Sequence, residues 1–426
     1  MRVVVIGGGA AGFFAALSVA EHHHRAQVVL LEKSDKLLSK VRISGGGRCN
    51  VTHACFEPRK LAAHYSRGER FLRKAFERFQ ARDTVAWFAD RGVELKAEAD
   101  GRMFPITDDS TTIVDCLTEA ARHGGVEVRL RTGARRIHPG QPGKGFRITL
   151  EDGSMITADR IIVTTGGHPK PTGYDLLSGT GHTLVPPVPS LFTFNMPEEP
   201  IKELMGVTVP AVTTSIAGSK LSSTGPLLIT HWGMSGPAIL RLSAWGAREI
   251  AAMNYTFTLR VDWTNGLGEQ ALRERIDAFR AGHPKKHLAN LFPVDLPNRF
   301  WLHLLDRLEV PSTKPWDELG RRDRDRLIDA LTNARYAVRG RTTFKEEFVT
   351  AGGVALDEVD PASLQSRLVP GLYFAGEVLD IDGTTGGFNF QAAWTTGHIA
   401  GRLLPSTHHA QGGPDAAALQ GDQVES

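Results

Sequence analysis

The chain opens on Val3-Val4-Val5-Ile6, a β-branched run with no polar position inside it. That is the pattern of a strand buried on both faces. A glycine turn over residues 7–12 follows. Phe13 to Ala20, small and apolar, predicts a helix, and Val28-Val29-Leu30-Leu31 predicts a second buried strand with Glu32 at its end. Further strand patterns fall at 126–130, 146–150 and 160–164. The alternation across 126–165, with a turn at Asp152-Gly153, predicts a small meander before the chain returns to the main sheet.

Prolines then gather at Pro186, Pro187, Pro189, Pro197 and Pro200 and predict an inter-domain crossing. Short strand patterns at 209–216, 227–230 and 255–261 predict a small barrel or sandwich. From residue 267 to 335 helical periodicity takes over, at 267–280, 298–308 and 319–333. Strand-like text returns after Phe344 and ends at 372–375. A last helix is expected over about 389–403, and the final residues predict a frayed tail. The organisation expected is therefore an α/β domain over 1–190 and 345–426, a β-barrel-like insert over 191–265 and 336–344, and a helical insert over 266–335.

Composition narrows this reading without redirecting it. The 426 residues are 41% apolar and 23% charged, ordinary for a globular chain, so disorder throughout is excluded. The 45 glycines are clustered rather than periodic, which excludes collagen and points to tight backbone turns. The 3 cysteines form neither a disulfide framework nor a C-x-x-C zinc pair, and no metal site is expected. No signal peptide or membrane-length apolar run is seen, so a cytoplasmic location without membrane attachment is expected. A net charge of +3 does not by itself predict a nucleic-acid partner.

Gly7-Gly8-Gly9-Ala10-Ala11-Gly12 fits G-x-G-x-x-G in its required setting: after a strand, opening a helix, with the acid Glu32 downstream. Gly7 permits the tight turn, Gly9 lets the backbone approach a pyrophosphate, and Gly12 lets helix and strand pack. The pyrophosphate then meets free N–H groups at the helix N-terminus, and Glu32 can accept from ribose hydroxyls. A second cluster separates FAD from NAD. Gly376-Glu377 ends a strand and Gly386-Gly387-Phe388-Asn389 opens the last helix, a second contact suited to a long cofactor. Glu377 would hold a ribityl chain, and the helix N-terminus would face the flavin pyrimidine edge. There is no second G-x-G-x-x-G after a strand, so a separate Rossmann domain for NADPH is not expected.

In Ser44-Gly45-Gly46-Gly47-Arg48-Cys49-Asn50-Val51-Thr52 the glycines expose backbone N–H groups and allow close approach to a planar ligand. Arg48 supplies a charge for a phosphate or a flavin carbonyl. Cys49 is open to three readings: proton donor, nucleophile, or small buried side chain. These stretches, with RMFPITDDSTTIVDCL, IIVTTGGHPKPTGYD, ITHWGMSGPAILRLS, FVTAGGVALDEVDP and FAGEVLDIDGTTGGFNFQAAWTTGHIAG, resemble the BaiN-like flavoproteins, also called the aminoacetone-oxidase-like family. The likeness runs from residue 3 to about residue 401.

The resemblance implies FAD and a glutathione-reductase-like Rossmann domain carrying a β-barrel-like and a helical insert. Carried over by position, it places Gly7, Gly9, Ala10, Ala11, Gly12 and Glu32 on the adenosine and pyrophosphate half. Lys33, Lys40, Gly46, Gly47, Arg48 and Asn50 would line the flavin side, with Thr165-Gly166, Gly376, Glu377, Gly387, Asn389 and Gln391 completing the site. It departs after Gly167, where His168-Pro169-Lys170-Pro171 replaces the usual Ser, aromatic and Pro.

Activities in the family include reduction of a conjugated C=C bond, oxidation of an aminoketone, and reduction of uridine to dihydrouridine in ribosomal RNA. The expected function is thus an FAD-dependent oxidoreductase that reduces an electron-poor C=C bond of a small molecule, with NAD(P)H as transient donor. The alternatives are an rRNA-modifying flavoenzyme and a non-catalytic flavin sensor. His231 joins Cys49 as a candidate acid, beside Ser235 as an expected N-cap. Two basic stretches, Arg59 to Arg82 and Arg321 to Arg326, read either as solvated faces or as docking surfaces for RNA or NADPH phosphates.

Overall fold

A computed structural model describes residues 1–141, 143–342 and 349–405, so the expected tail lies outside the described residues. The chain forms two compact units, Met1–Pro189 with Lys345–Ser426, and Ser190–Phe344.

The first unit is a Rossmann domain. Strands β1 (Arg2–Ile6) and β2 (Gln27–Leu31) lie in a five-stranded sheet, in the order 372–374, 160–163, β1, β2, 127–129. All its pairings are parallel, with Val4 opposite Ile161 and Val29. Such a sheet needs cover on both faces, hence the unbroken apolar strands, and Val3, Val4 and Val5 are fully buried. Helix α1 (Ala10–His22) starts directly after Gly9, three residues ahead of the apolar run that predicts it.

Helix α1 packs against the C-terminal helix, Phe388–Gly401, at close range. A Cβ on Gly397 would lie 2.5 Å from the Ala11 carbonyl oxygen, and one on Gly401 2.4 Å from that of Ala15. These glycines, one turn apart, let the two backbones touch. Phe14 of α1 fills the remaining space between Trp87 and Trp394, at 4.5 and 4.6 Å between ring centres.

The expected meander is present as the antiparallel strands 134–139, 146–150 and 155–158. The boundary between the two units falls inside the proline-rich stretch, between Pro189 and Ser190, where the crossing was expected, and the approach to it is itself paired. Leu184–Ser190 is a strand paired with Val349–Val354 in a two-stranded sheet, where missing N–H groups can face the open edge.

In the second unit seven strands run in the order 334–339, 256–262, 208–216, 222–230, 233–235, 193–195, 341–342. The two outermost strands are one segment bent at Gly340. Gly340 donates its N–H to the Tyr255 carbonyl at 2.8 Å and accepts from the Asn195 N–H at 3.0 Å, so the sheet closes on itself. The helices Glu269–Gly282, Asn298–Arg307 and Arg321–Thr332 share one apolar core with these strands: Ile276, Trp301 and Leu331 are buried with Leu259, Val261 and Val338. Among the described residues no helix is long and apolar enough to cross a membrane, and no cluster of His, Cys, Asp and Glu is placed to hold a metal.

Candidate flavin site

The first unit gathers its glycine turns at the C-terminal ends of the parallel strands, where open α/β sheets bind ligands. Gly7 donates to the Leu31 carbonyl at 2.8 Å, and a Cβ on Gly12 would fall 1.9 Å from the Gly7 carbonyl oxygen, so α1 can start here only with glycine. Gly9 has open space where its Cβ would be. The first turn of α1 has no acidic residue and no side-chain cap, which leaves its N–H groups for an anion. Ala10 is half-buried, and Ala11 is buried against Gly376, whose Cβ would meet that of Ala11 at 2.8 Å.

Glu32 is already engaged. One carboxylate oxygen accepts the Gly8 N–H at 2.9 Å and the other accepts the Ser34 N–H at 2.8 Å. It therefore braces the glycine turn, and each oxygen keeps one further lone pair to offer a hydroxyl. Lys33 beside it is exposed.

Helix α2 (Ser39–Gly47) breaks at Ser44, and Gly45, Gly46 and Gly47 then take φ of 59°, 70° and 86°. Three left-handed residues in succession require glycine. Gly46 and Gly47 face open space. Arg48 does not point a free charge at the turn. Its guanidinium bonds Glu98 at 2.7 Å and lies over the Phe104 ring at 4.0 Å.

Cys49 is fully buried in the core, and burial pushes its thiol up to about 12. Burial of this kind matches the third of its readings, the small buried side chain. Gln391 is likewise fully buried: it accepts from the Thr52 hydroxyl and donates to that of Thr395 at 3.0 Å. It supports the floor of the site and does not line it.

Asn50 joins two turns: with its amide assigned the orientation that satisfies both neighbours, its nitrogen donates to the Thr52 carbonyl at 3.0 Å and its oxygen accepts the Gly387 N–H at 3.0 Å. Asn389 clips the loop before the C-terminal helix, accepting from Gly383 N–H at 2.8 Å and donating to its carbonyl at 3.1 Å. The sequence reading missed the other side of this loop. The Phe388 ring stacks against both His53 and His64, at 4.6 and 4.1 Å, the two imidazoles lying 6.0 Å from each other, and the Tyr65 hydroxyl donates to the Phe388 carbonyl at 2.6 Å. None of these contacts follows a local motif.

Lys40 and Glu377 form an ion pair at 2.7 Å, and the other Glu377 oxygen accepts the Thr350 N–H at 2.8 Å. His168 stands in the same cluster. Burial pushes its imidazole down, Lys33 and Lys40 push the same way, and Glu377 opposes them. Thr165 and Thr350 each bury a hydroxyl oxygen with no partner, and Gly166 faces open space. Thr350 sits in the FVTAGGVALDEVDP stretch, just before Gly352-Gly353, but only tertiary packing shows its place beside Glu377.

His231 lies in the second unit, exposed in the turn between strands 222–230 and 233–235, its ring edge-on to Trp232 at 4.4 Å. Ser235 is not the N-cap it was expected to be. It pairs with Leu228 within the sheet, and Gly236, with φ 93°, precedes the helix Pro237–Trp245.

The site fits an FAD-type dinucleotide. Gly9, Gly46, Gly47 and Gly166 leave space where side chains would stand, two buried hydroxyls lack partners among the described residues, and neither helix holds an acidic residue in its first turn. A parallel sheet, a glycine turn and an uncapped helix define a dinucleotide-binding Rossmann protein. Residues 1–403 match the HI0933-like protein Rossmann domain, and the chain belongs to that family. It is an FAD-dependent oxidoreductase.

The chain is 32% identical over 380 residues to the ribosomal RNA dihydrouridine synthase of Escherichia coli, covering 87% of this chain and 90% of that one. It is 31% identical over 392 residues to the 3-dehydro-bile acid delta(4,6)-reductase of Clostridium scindens, covering 88% and 92%. Among solved structures, the 3-ketosteroid-delta4-(5alpha)-dehydrogenase of Rhodococcus jostii RHA1 superposes with a TM-score of 0.50 at 15% identity, covering 94% and 96%.

Proposed function

We propose that this chain reduces a C=C bond conjugated to a carbonyl group. When bound, FAD supplies the hydride, and NAD(P)H is the donor that recharges it. The observation that supports this reading most is the Asn50–Gly387 joint. It fixes the open N-terminus of the C-terminal helix beside the glycine turn at 45–47. A helix N-terminus held there favours negative charge on the pyrimidine edge of a reduced flavin. The chemistry also unites the two named relatives, since dihydrouridine and a reduced bile acid each arise by saturating a C=C bond in conjugation with a carbonyl.

In this reading Gly9 and the first turn of α1 hold the pyrophosphate, and Glu32 positions the ribose while bracing the turn. Lys40, Glu377, Thr165 and Thr350 offer polar groups to the ribityl side. Arg48, Asn389 and Gln391 position the walls. Cys49, buried and held in its protonated form, delivers no proton to the substrate in this reading. His231, the other residue expected as an acid, is exposed in the second unit and has no polar anchor among the described residues. The test is anaerobic: protein reduced by NADPH is mixed with a 4-ene-3-ketosteroid or with uridine-containing rRNA, and flavin reoxidation is followed. Reoxidation by neither, with full FAD occupancy, overturns the reading.

A second reading narrows the substrate to a uridine ring in ribosomal RNA. It is favoured by one observation, the exposed cations of residues 59–82 that have no acidic partner among the described residues. Loss of dihydrouridine from the rRNA of a deletion strain, restored by the wild-type chain, is the expected result.

A further inference from the structure

The two basic stretches of the sequence have different fates in the structure. On the helix Arg321–Thr332 the charges are largely neutralised: Arg324 bonds Asp277 at 2.6 Å, Arg326 lies 3.7 Å from Asp323, and Asp325 pairs with Arg273. Over 59–82 they are not. Helices α3 (Pro58–Ala62), α4 (Glu69–Phe76) and α5 (Ala81–Ala89) bury Leu61, Phe71, Leu72, Phe76 and Phe88 in the core. The same helices and their junctions turn Arg59, Arg70, Arg73, Lys74 and Arg78 outward. Among the described residues none of these five makes an ion pair. Lys60 pairs with Glu57, Arg67 pairs with buried Asp382, and Glu69 and Glu77 on the same face pair with no cation.

Unpaired like charges repel one another and are relieved by a polyanion. Phe56 at the rim is 38% exposed, with the Arg82 guanidinium 5.6 Å from its ring. An exposed ring with a guanidinium near its face offers a surface on which an unpaired base can stack. An anionic membrane is the poorer match, because the apolar side of α4 is buried in the core and leaves no insertion face. Between α3 and α4 the chain passes through strand 65–67, which pairs with Asp382–Gly383 in the loop that opens the C-terminal helix. One continuous segment thus carries both the cations and a wall of the candidate flavin site.

We propose that the exposed face of α3–α5 docks the phosphate backbone of a single-stranded or looped RNA beside the flavin site. The proposal rests on the rRNA reading above. The test compares wild type with Arg70→Ala/Arg73→Ala/Lys74→Ala/Arg78→Ala, both confirmed to retain FAD by absorbance. The probe is a labelled hairpin RNA of about 20 nucleotides with a uridine loop, titrated between about 50 and 200 mM KCl. The variant is expected to bind at least about ten-fold more weakly, with the slope of log K against log salt reduced by about 3, at 0.7 per lost contact on single strands. It is also expected to fail to restore rRNA dihydrouridine in the deletion strain, while reoxidation by a small enone stays at the wild-type rate.

Equal RNA binding by wild type and variant overturns this surface and leaves the rRNA reading standing. Failure of the wild-type chain to restore dihydrouridine overturns that reading and the docking proposal with it. Binding to anionic phospholipid vesicles but not to the hairpin overturns the RNA assignment. Loss of FAD from the quadruple variant is met by the single variants Arg73→Ala and Arg78→Ala, each expected to lower the salt slope by about 0.7.

Discussion

Asn50 and Gly387 are joined across more than three hundred residues of sequence, the Asn50 amide oxygen accepting the Gly387 N–H at 3.0 Å. Gly387 has φ 90°, and a Cβ there would lie 2.5 Å from the Thr52 carbonyl oxygen, so backbone shape and this amide together set the helix entry, alongside the Asn389 clip and the Tyr65 bond to Phe388. Removing the amide leaves the Gly387 N–H without its acceptor and frees two turns that must move together to hold a flavin.

Asn50→Ala is therefore expected to weaken FAD binding by about 1–2 kcal/mol, roughly ten-fold, with the fold retained. Flavin fluorescence on serial dilution reads the affinity. Unchanged retention would show that the two turns are held by other contacts.

Glu32 gives a sharper case, because its two oxygens serve two different backbone donors. Glu32→Ala is expected to cost about 1.5–3 kcal/mol in FAD affinity, the worth of a charge-assisted hydrogen bond lost from the brace. Glu32→Gln should recover little of it: an amide accepts from one N–H and turns its own N–H toward the other. Near-wild-type affinity of Glu32→Gln by isothermal titration would mean the brace is not what Glu32 contributes.

The contrast between these residues shows what a sequence carries. Gly7, Gly9 and Gly12 were legible because their roles depend on local spacing after a strand. The closed barrel was legible only as a class: its closure at Gly340 depends on hydrogen bonds to Tyr255 and Asn195, which are remote in sequence. Ser235 was misread because serine before a proline suggests a cap, whereas its strand partner Leu228 decides its conformation. Pro186, Pro187 and Pro189 marked the crossing between the units, whereas their pairing in a sheet of two strands depends on the remote segment Val349–Val354 and was not legible. Thr350, His53 and His64 reach the site through tertiary packing alone, and no periodicity reports that.

Cys49 illustrates the same gap for chemistry, since burial and not spacing sets its reactivity. With its thiol pushed up to about 12 and no accessible surface, it is expected to resist alkylation by iodoacetamide at about pH 8 until the chain unfolds. Cys49→Ala should lose about 1 kcal/mol of stability from the small cavity and retain substrate-dependent flavin reoxidation. Mass spectrometry of the alkylated native protein reads the first. Labelling of Cys49 before Cys55 or Cys116, or loss of reoxidation with FAD still bound, would return the thiol to the mechanism.

The last prediction concerns acid stability. Burial pushes His182 down to about 4, with Glu358 opposing, and pushes His398 down to about 4, with His22 and Arg402 acting in the same direction. His182 is held neutral between the hydroxyls of Thr180 and Ser366, each at 2.8 Å, and His398 stacks on Phe79 at 4.3 Å. In the unfolded chain both imidazoles protonate near pH 6.5, so below that pH the unfolded state binds more protons and is favoured. The stabilisation from keeping them neutral is complete above about pH 6.5, shrinks as the pH falls, and levels off below about 4. Each histidine then costs about 1–3 kcal/mol after allowance for partial exposure. His398→Phe keeps the stack on Phe79 and removes the titration. Its melting temperature should fall less than that of wild type between about pH 7 and pH 4, by a few degrees at about 2–4 °C per kcal/mol. Equal falls, measured by circular dichroism on FAD-loaded protein, would show that other groups set the acid limb.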